Sequence, residues 1–136
     1  MDYPRSKVND FVFSKRSLKN LVGVHPDLVR VVRRALELTE VDFVVLEGIR
    51  TLEKQRQYVE SGASRTMNSR HLTGHAVDLI AWVERTVNWD LINDERIDAA
   101  MKEAGMELGI PVEWGGDWKG FKDGPHFQLP WKEYPK

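Results

Sequence analysis

The sequence predicts a single domain of mixed α and β structure, and three observations carry that reading. Its 136 residues sit at the common size for one domain. Apolar residues recur at helical spacing in some stretches and cluster in short β-branched runs in others. No repeat, low-complexity linker or shift in composition marks a boundary, so one domain is expected over residues 1–136, with a mobile start over 1–10.

Composition narrows the function classes. A hydrophobic share of 41% and a charged share of 30% are ordinary for a soluble globular chain. The formal net charge of −1 gives no global electrostatic case for nucleic acid or acidic membranes. With no cysteine there is neither a disulfide framework nor a thiolate, so any metal must be held by nitrogen and oxygen. No apolar run reaches the roughly 18–20 residues that span a bilayer. The start, Met1-Asp2-Tyr3-Pro4-Arg5-Ser6-Lys7, lacks the apolar core of a secretory signal, which leads to the expectation of a cytoplasmic protein.

In chain order, Phe11, Val12 and Phe13 form the one dense apolar cluster before residue 24 and are expected to dock. His25-Pro26-Asp27 starts a helix: Pro26 suits its first turn and Asp27 complements its dipole. Leu28, Val31, Val32, Ala35 and Leu36 then form one apolar stripe running to about Leu38. Arg30, Arg33 and Arg34 lie off that stripe and read as a solvated face rather than a nucleic-acid or cell-wall contact. Asp42 to Leu46 is a buried strand by its β-branched content. Thr51 caps a helix over Leu52 to Glu60, closed by Gly62. Arg50 therefore falls at a strand-to-helix junction, where it either faces a cleft or pairs with Glu47 or Glu53.

Residues 63–74 read as a loop and His75 to Val83 as a strand, with Ala76, Asp78 and Ile80 on one face. Asn88-Trp89-Asp90 begins the next helical region; Ile97, Met101, Ala104 and Leu108 form its stripe, and Gly109 and Pro111 stop it. From Val112 the chain alternates short strands with turns.

Chemistry concentrates in Ser69-Arg70-His71-Leu72-Thr73-Gly74-His75-Ala76-Val77-Asp78 and Asp123-Gly124-Pro125-His126. His71, His126 and Asp78 are three ligands of the kind zinc prefers, and a catalytic zinc site typically uses three and keeps a fourth position for water. Asp123 is left over for acid–base work. Asp78 lies among Val77, Leu79 and Ile80, where a carboxylate needs a partner or a metal. His71 and His75 have the i, i+4 spacing of a zinc-binding helix, but Leu72 stands where that motif requires glutamate, and Gly74 argues against a helix. His75 is expected to line a cleft or face solvent. Spacing alone leaves a metal site and unrelated structural histidines both open.

The pattern Ser69-x-His71-x-x-Gly74-x-Ala76-x-Asp78 with Asp123-x-x-His126 resembles the D-alanyl-D-alanine carboxypeptidase and dipeptidase group of metallopeptidases. Within it the chain is most similar to phage endolysins of the L-alanyl-D-glutamate peptidase type. Gly48-Ile49-Arg50-Thr51 with Gln55, Trp114-Gly115-Gly116-Asp117-Trp118 and Pro125-His126-Phe127-Gln128-Leu129 extend the match from about Phe11 onward. The resemblance implies a small α+β domain with a zinc cleft over an antiparallel sheet, and one Zn²⁺ on His71, Asp78 and His126. It implies Asp123 as the catalytic carboxylate, and Arg50 as a cleft residue that binds a substrate carboxylate or polarises the scissile carbonyl. Ser69 is expected behind the ligands or on the substrate side. The implied substrate is the peptidoglycan stem peptide, cut between L-Ala and D-Glu, with D-alanyl-D-alanine carboxypeptidase or a non-catalytic zinc-stabilised binding module as alternatives. The further expectations are a monomer with no nucleic-acid partner, no stable membrane association and no separate wall-binding domain. It would wait in the host cytoplasm until a holin-type protein opens the way to the wall.

Overall fold

The fold is seen in a computed structural model that describes residues 6–135. Its elements are α1 (Lys15–Leu21), α2 (Pro26–Leu38), β1 (Phe43–Glu47), α3 (Leu52–Glu60), β2 (Ala76–Val83), β3 (Thr86–Asn88), α4 (Leu91–Leu108), β4 (Glu113–Trp114) and β5 (His126–Gln128). The sheet runs β1-β2-β5-β4 with every pair antiparallel, and β3 pairs with the outer half of β2.

Register decides which side chains share a face. Residues directly opposite in an antiparallel pair point the same way. Phe43 lies opposite Ala81, Val45 opposite Leu79 and Val77 opposite Phe127. All six are buried in one core with the stripes of α2 (Leu28, Val31, Val32, Ala35) and α4 (Ile97, Met101, Ala104). The other face carries polar groups: Glu47 pairs with Asp78 and Asp78 with His126, while Gln128 lies between Ala76 and Glu113. One slip of register would send these groups into the core, so the apolar pattern of the hidden face fixes the polar row on the open one.

Helix α1 was not foreseen. Its seven residues hold little apolar periodicity because its task is polar: Ser17 Oγ accepts from the Val45 amide at 2.9 Å, and Asn20 Nδ2 donates to the Val45 carbonyl at 2.8 Å. It thereby satisfies the outer edge of β1, which would otherwise invite pairing with another strand. β3 was also unforeseen. Glu84 and Arg85 both take positive φ, 52° and 66°, the signature of a tight two-residue hairpin, but neither is the Asn or Gly that advertises one. The following helix starts at Leu91, with the Asn88 side chain accepting from the Asp90 amide at 3.0 Å.

Half of the expected mobile start lies outside the described residues. Of the rest, the Val8 amide donates to Glu37 at 2.9 Å and Asn9 Nδ2 donates to Leu36 and Thr39 at 3.0 and 2.9 Å. These bonds close the orphan carbonyls at the end of α2. Phe11 and Phe13 pack on the core, whereas Val12 is exposed. The arginines of α2 are occupied locally: Arg30 lies 3.7 Å from Asp27, Arg34 is 2.9 Å from Glu107, and Arg33 covers Phe13. Among the described residues no helix is long and apolar enough to cross a membrane.

Candidate metal and catalytic site

The open face of the sheet meets a cavity of about 710 Å³ lined by His71, Asp78, Asp123 and His126. Asp78 comes from β2 and His126 from β5, adjacent by register. His71 arrives from a short 3-10 turn, Arg70–Thr73, which stands inside the stretch expected to be loop. Ser69 caps that turn by accepting from the His71 amide at 3.2 Å. Arg70, buried beneath it, donates to Leu129 at 3.0 Å and Tyr134 at 2.6 Å and so ties the turn to the C-terminal segment.

His71 Nε2 lies 3.1 Å and His126 Nδ1 3.4 Å from the same oxygen, Asp78 Oδ1. One ligand atom from each of the three residues lies within 4.8 Å of the others, so the cluster could hold a metal ion. Ligands about 2.1 Å from a tetrahedral centre stand about 3.4 Å apart, close to the observed spacing.

The outward nitrogens sharpen the test. His71 Nδ1 donates to the Gly48 carbonyl at 2.8 Å, and His126 Nε2 donates to Gln128 Oε1 at 2.7 Å. The Gln128 amide is oriented because its nitrogen donates to Glu113 at 3.1 Å. Both rings therefore carry their proton outward and, when neutral, aim a lone pair at the acid. A cation at that point turns two repulsive lone pairs into ligands, and such outward bonds are what orient metal-binding imidazoles.

Burial alone would raise the Asp78 carboxyl; hydrogen bonds and charge from His126 and His71 outweigh it and hold the group well below the usual carboxylate range. Burial would lower His126, but its bond to Asp78, that residue's charge and the Gln128 bond raise it. Asp123 is raised by burial and then by the Asp78 charge, against the opposing influence of His126, His71 and Arg50. Its loop is pinned by the Asp123 amide donating to Gly115 at 3.0 Å and by the Trp114 indole donating to Gly124 at 2.6 Å.

Arg50 lines the same cavity, yet its donors are engaged. Nε donates to Glu47 at 2.8 Å, Nη1 to Gln55 at 2.6 Å, Nη2 contacts Glu47, and Nη2 stands 3.7 Å from Asp78 Oδ2. Its guanidinium also lies 4.5 Å above the Tyr58 ring. Both readings of Arg50 thus hold together: it faces the cleft and it pairs with Glu47. His75 lies outside the group, bonded to Thr73 Oγ1 at 2.6 Å and packed near His25. Asp117 pairs with Lys102 at 2.7 Å. Sequence reasoning gave no role to Gln128 or Glu113; the period-two rule from His126 along β5 was the signal for the first.

A family model described as phage L-alanyl-D-glutamate peptidase matches residues 9–129. The L-alanyl-D-glutamate peptidase of Escherichia phage T5 is 37% identical over 88% of this chain and 98% of its own length. That of Listeria phage A118 is also 37% identical over 90% of this chain, which spans only 43% of that relative. The crystal structure of Serratia marcescens L-Ala D-Glu endopeptidase ChiX superposes with a TM-score of 0.87 at 52% identity, covering 91% of this chain and 93% of that one. Sequence, fold and site together make this chain a member of the phage L-alanyl-D-glutamate peptidase family.

Proposed function

We propose that the chain is a zinc-dependent peptidoglycan peptidase that hydrolyses the L-Ala–D-Glu amide of the stem peptide. The observation that carries this is the pair of imidazoles, each tied outward to an acceptor and facing one carboxylate, with a second carboxylate in the same cavity. The names of the relatives supply the bond. His71, Asp78 and His126 would hold one zinc ion, which when bound supplies Lewis acidity and lowers the pKa of water from about 15.7 to about 7.

The protein groups do the rest. Asp123 takes a proton from the water whose oxygen bonds to the L-Ala carbonyl carbon. As the carbon–nitrogen bond breaks, Asp123 delivers that proton to the departing D-Glu amine. Its burial beside Asp78 suits it to the second half of that exchange, because both effects favour holding a proton. Arg50, kept in place by Glu47 and Gln55, steadies Asp78 and lends positive charge to the oxyanion side. Ser69 positions His71 through its amide. Release to the wall through a separate membrane-opening protein belongs to the same reading; lysis by cytoplasmic expression alone contradicts it.

The test is Asp123→Ala. It should retain zinc by elemental analysis and lose about 10²–10⁴-fold in turnover, the usual contribution of a general acid–base group. By contrast, His71→Ala, Asp78→Ala and His126→Ala should each lose the metal. A fully active Asp123→Ala protein removes that residue from the mechanism.

A further inference from the structure

Each guanidinium nitrogen of Arg50 already donates to Glu47 or Gln55, and Lys54 is likewise engaged by Glu47 at 2.9 Å. Of the three other cations that line the cavity, Arg70 is buried and donates to the Leu129 and Tyr134 carbonyls, which leaves Arg16 from α1 and Arg65 from the loop after α3. Both are exposed, and among the described residues neither has a carboxylate partner. They differ in how they are held. The Arg65 guanidinium lies 4.7 Å over the ring of Phe121, which also lines the cavity and stands two residues before Asp123. Stacking on a ring fixes the plane of a guanidinium and leaves its edge donors free for a bidentate acceptor.

From this we propose that Arg65, seated on Phe121, is the site that takes a carboxylate of the peptide substrate and so sets its preference for an anionic stem. The proposal rests on the peptidase reading above. Phe121 couples the cation to the loop that carries Asp123, so binding there orients the peptide relative to the acid–base group. The ring contact restricts the Arg65 guanidinium before the peptide arrives, which reduces the entropy lost on binding. The ligand class is a peptide carboxylate, either the α-carboxylate of D-Glu or that of a following residue.

Three acetylated peptides separate these sources: L-Ala–γ-D-Glu–L-Lys, the same peptide with the D-Glu α-carboxyl as its amide, and the same peptide with the Lys carboxyl as its amide. The zinc-loaded wild-type protein should lose about tenfold in kcat/KM, through KM, on one of the two amides, the scale of one charge-assisted bond. Arg65→Gln should handle that amide and its parent alike, and Arg65→Lys should keep part of the preference. Calorimetric affinities of the same peptides for Asp123→Asn proteins, with and without Arg65→Gln, read the same ratio without cleavage. Failure of the wild-type protein to cut any of them rejects the peptidase reading, while the affinities still decide this one. Equal handling of all three peptides by the wild-type protein overturns it. So does an Arg65→Gln protein that keeps the wild-type ratio, or an Arg16→Gln protein that loses it.

Discussion

At His126 the choice of which nitrogen faces Asp78 is made two residues along the same strand. Gln128 accepts the outward proton only because Glu113 claims its amide nitrogen, so a chain of three side chains fixes one lone pair. Gln128→Leu should therefore weaken zinc binding about 10–100-fold by competition with a chelator, while leaving all three ligands in place. Unchanged affinity would mean that the ring is oriented by packing alone. The members of this cluster, His71, Asp78 and His126, were legible in the sequence, as was the second carboxylate of the cavity, Asp123. Arg50 shows the limit of such reading: two alternatives were open, and only the fold could reveal that Glu47, directly opposite Asp78 by register, makes both true.

The elements most readable in advance were those whose signals are local. Helix α3 runs over the expected residues, Leu52–Glu60, with Thr51 accepting from the Lys54 amide at 3.1 Å, and α2 spans its apolar stripe. α1 and β3 were not readable, because one is defined by what it does for a distant strand and the other by a turn without turn residues. The junction between α1 and β1 explains a glycine beside Arg50. A Cβ on Gly48 would lie 2.0 Å from the Asn20 carbonyl oxygen and 2.8 Å from Val24, and the Gly48 carbonyl accepts from His71. Gly48→Ala should lower stability by about 1–3 kcal/mol, as overpacking does, and weaken zinc binding with it. Chemical denaturation and metal titration of the one variant check both; a loss confined to stability would separate the glycine from the site.

Across the molecule, one buried acid has no place in the proposed chemistry. Asp94 on α4 is almost fully covered, its Oδ1 has no partner among the described residues, and its other oxygen would lie 2.3 Å from a Cβ on Gly124. Burial, then the charges of Asp123 and Glu95, push its carboxyl up to about 6. A folded-state value above the unfolded one of about 3.9 means that the native state holds the proton more tightly, so stability falls as pH rises from about 4 to 6 and stays reduced above. Asp94→Asn cannot ionise. Its stability relative to the wild-type protein should grow between pH 4 and pH 7.5 in urea unfolding, and a difference independent of pH would refute this.

The central claim, that this scaffold gathers two imidazoles and an acid around a cation to cut the stem peptide, has one most direct test. Purified peptidoglycan is digested with the protein as isolated, after chelation and after zinc is restored, and the new termini are identified. The account predicts fresh L-Ala carboxyl and D-Glu amino termini that vanish with the chelator and return with zinc. Release of D-alanine alone, or digestion indifferent to the chelator, would contradict it.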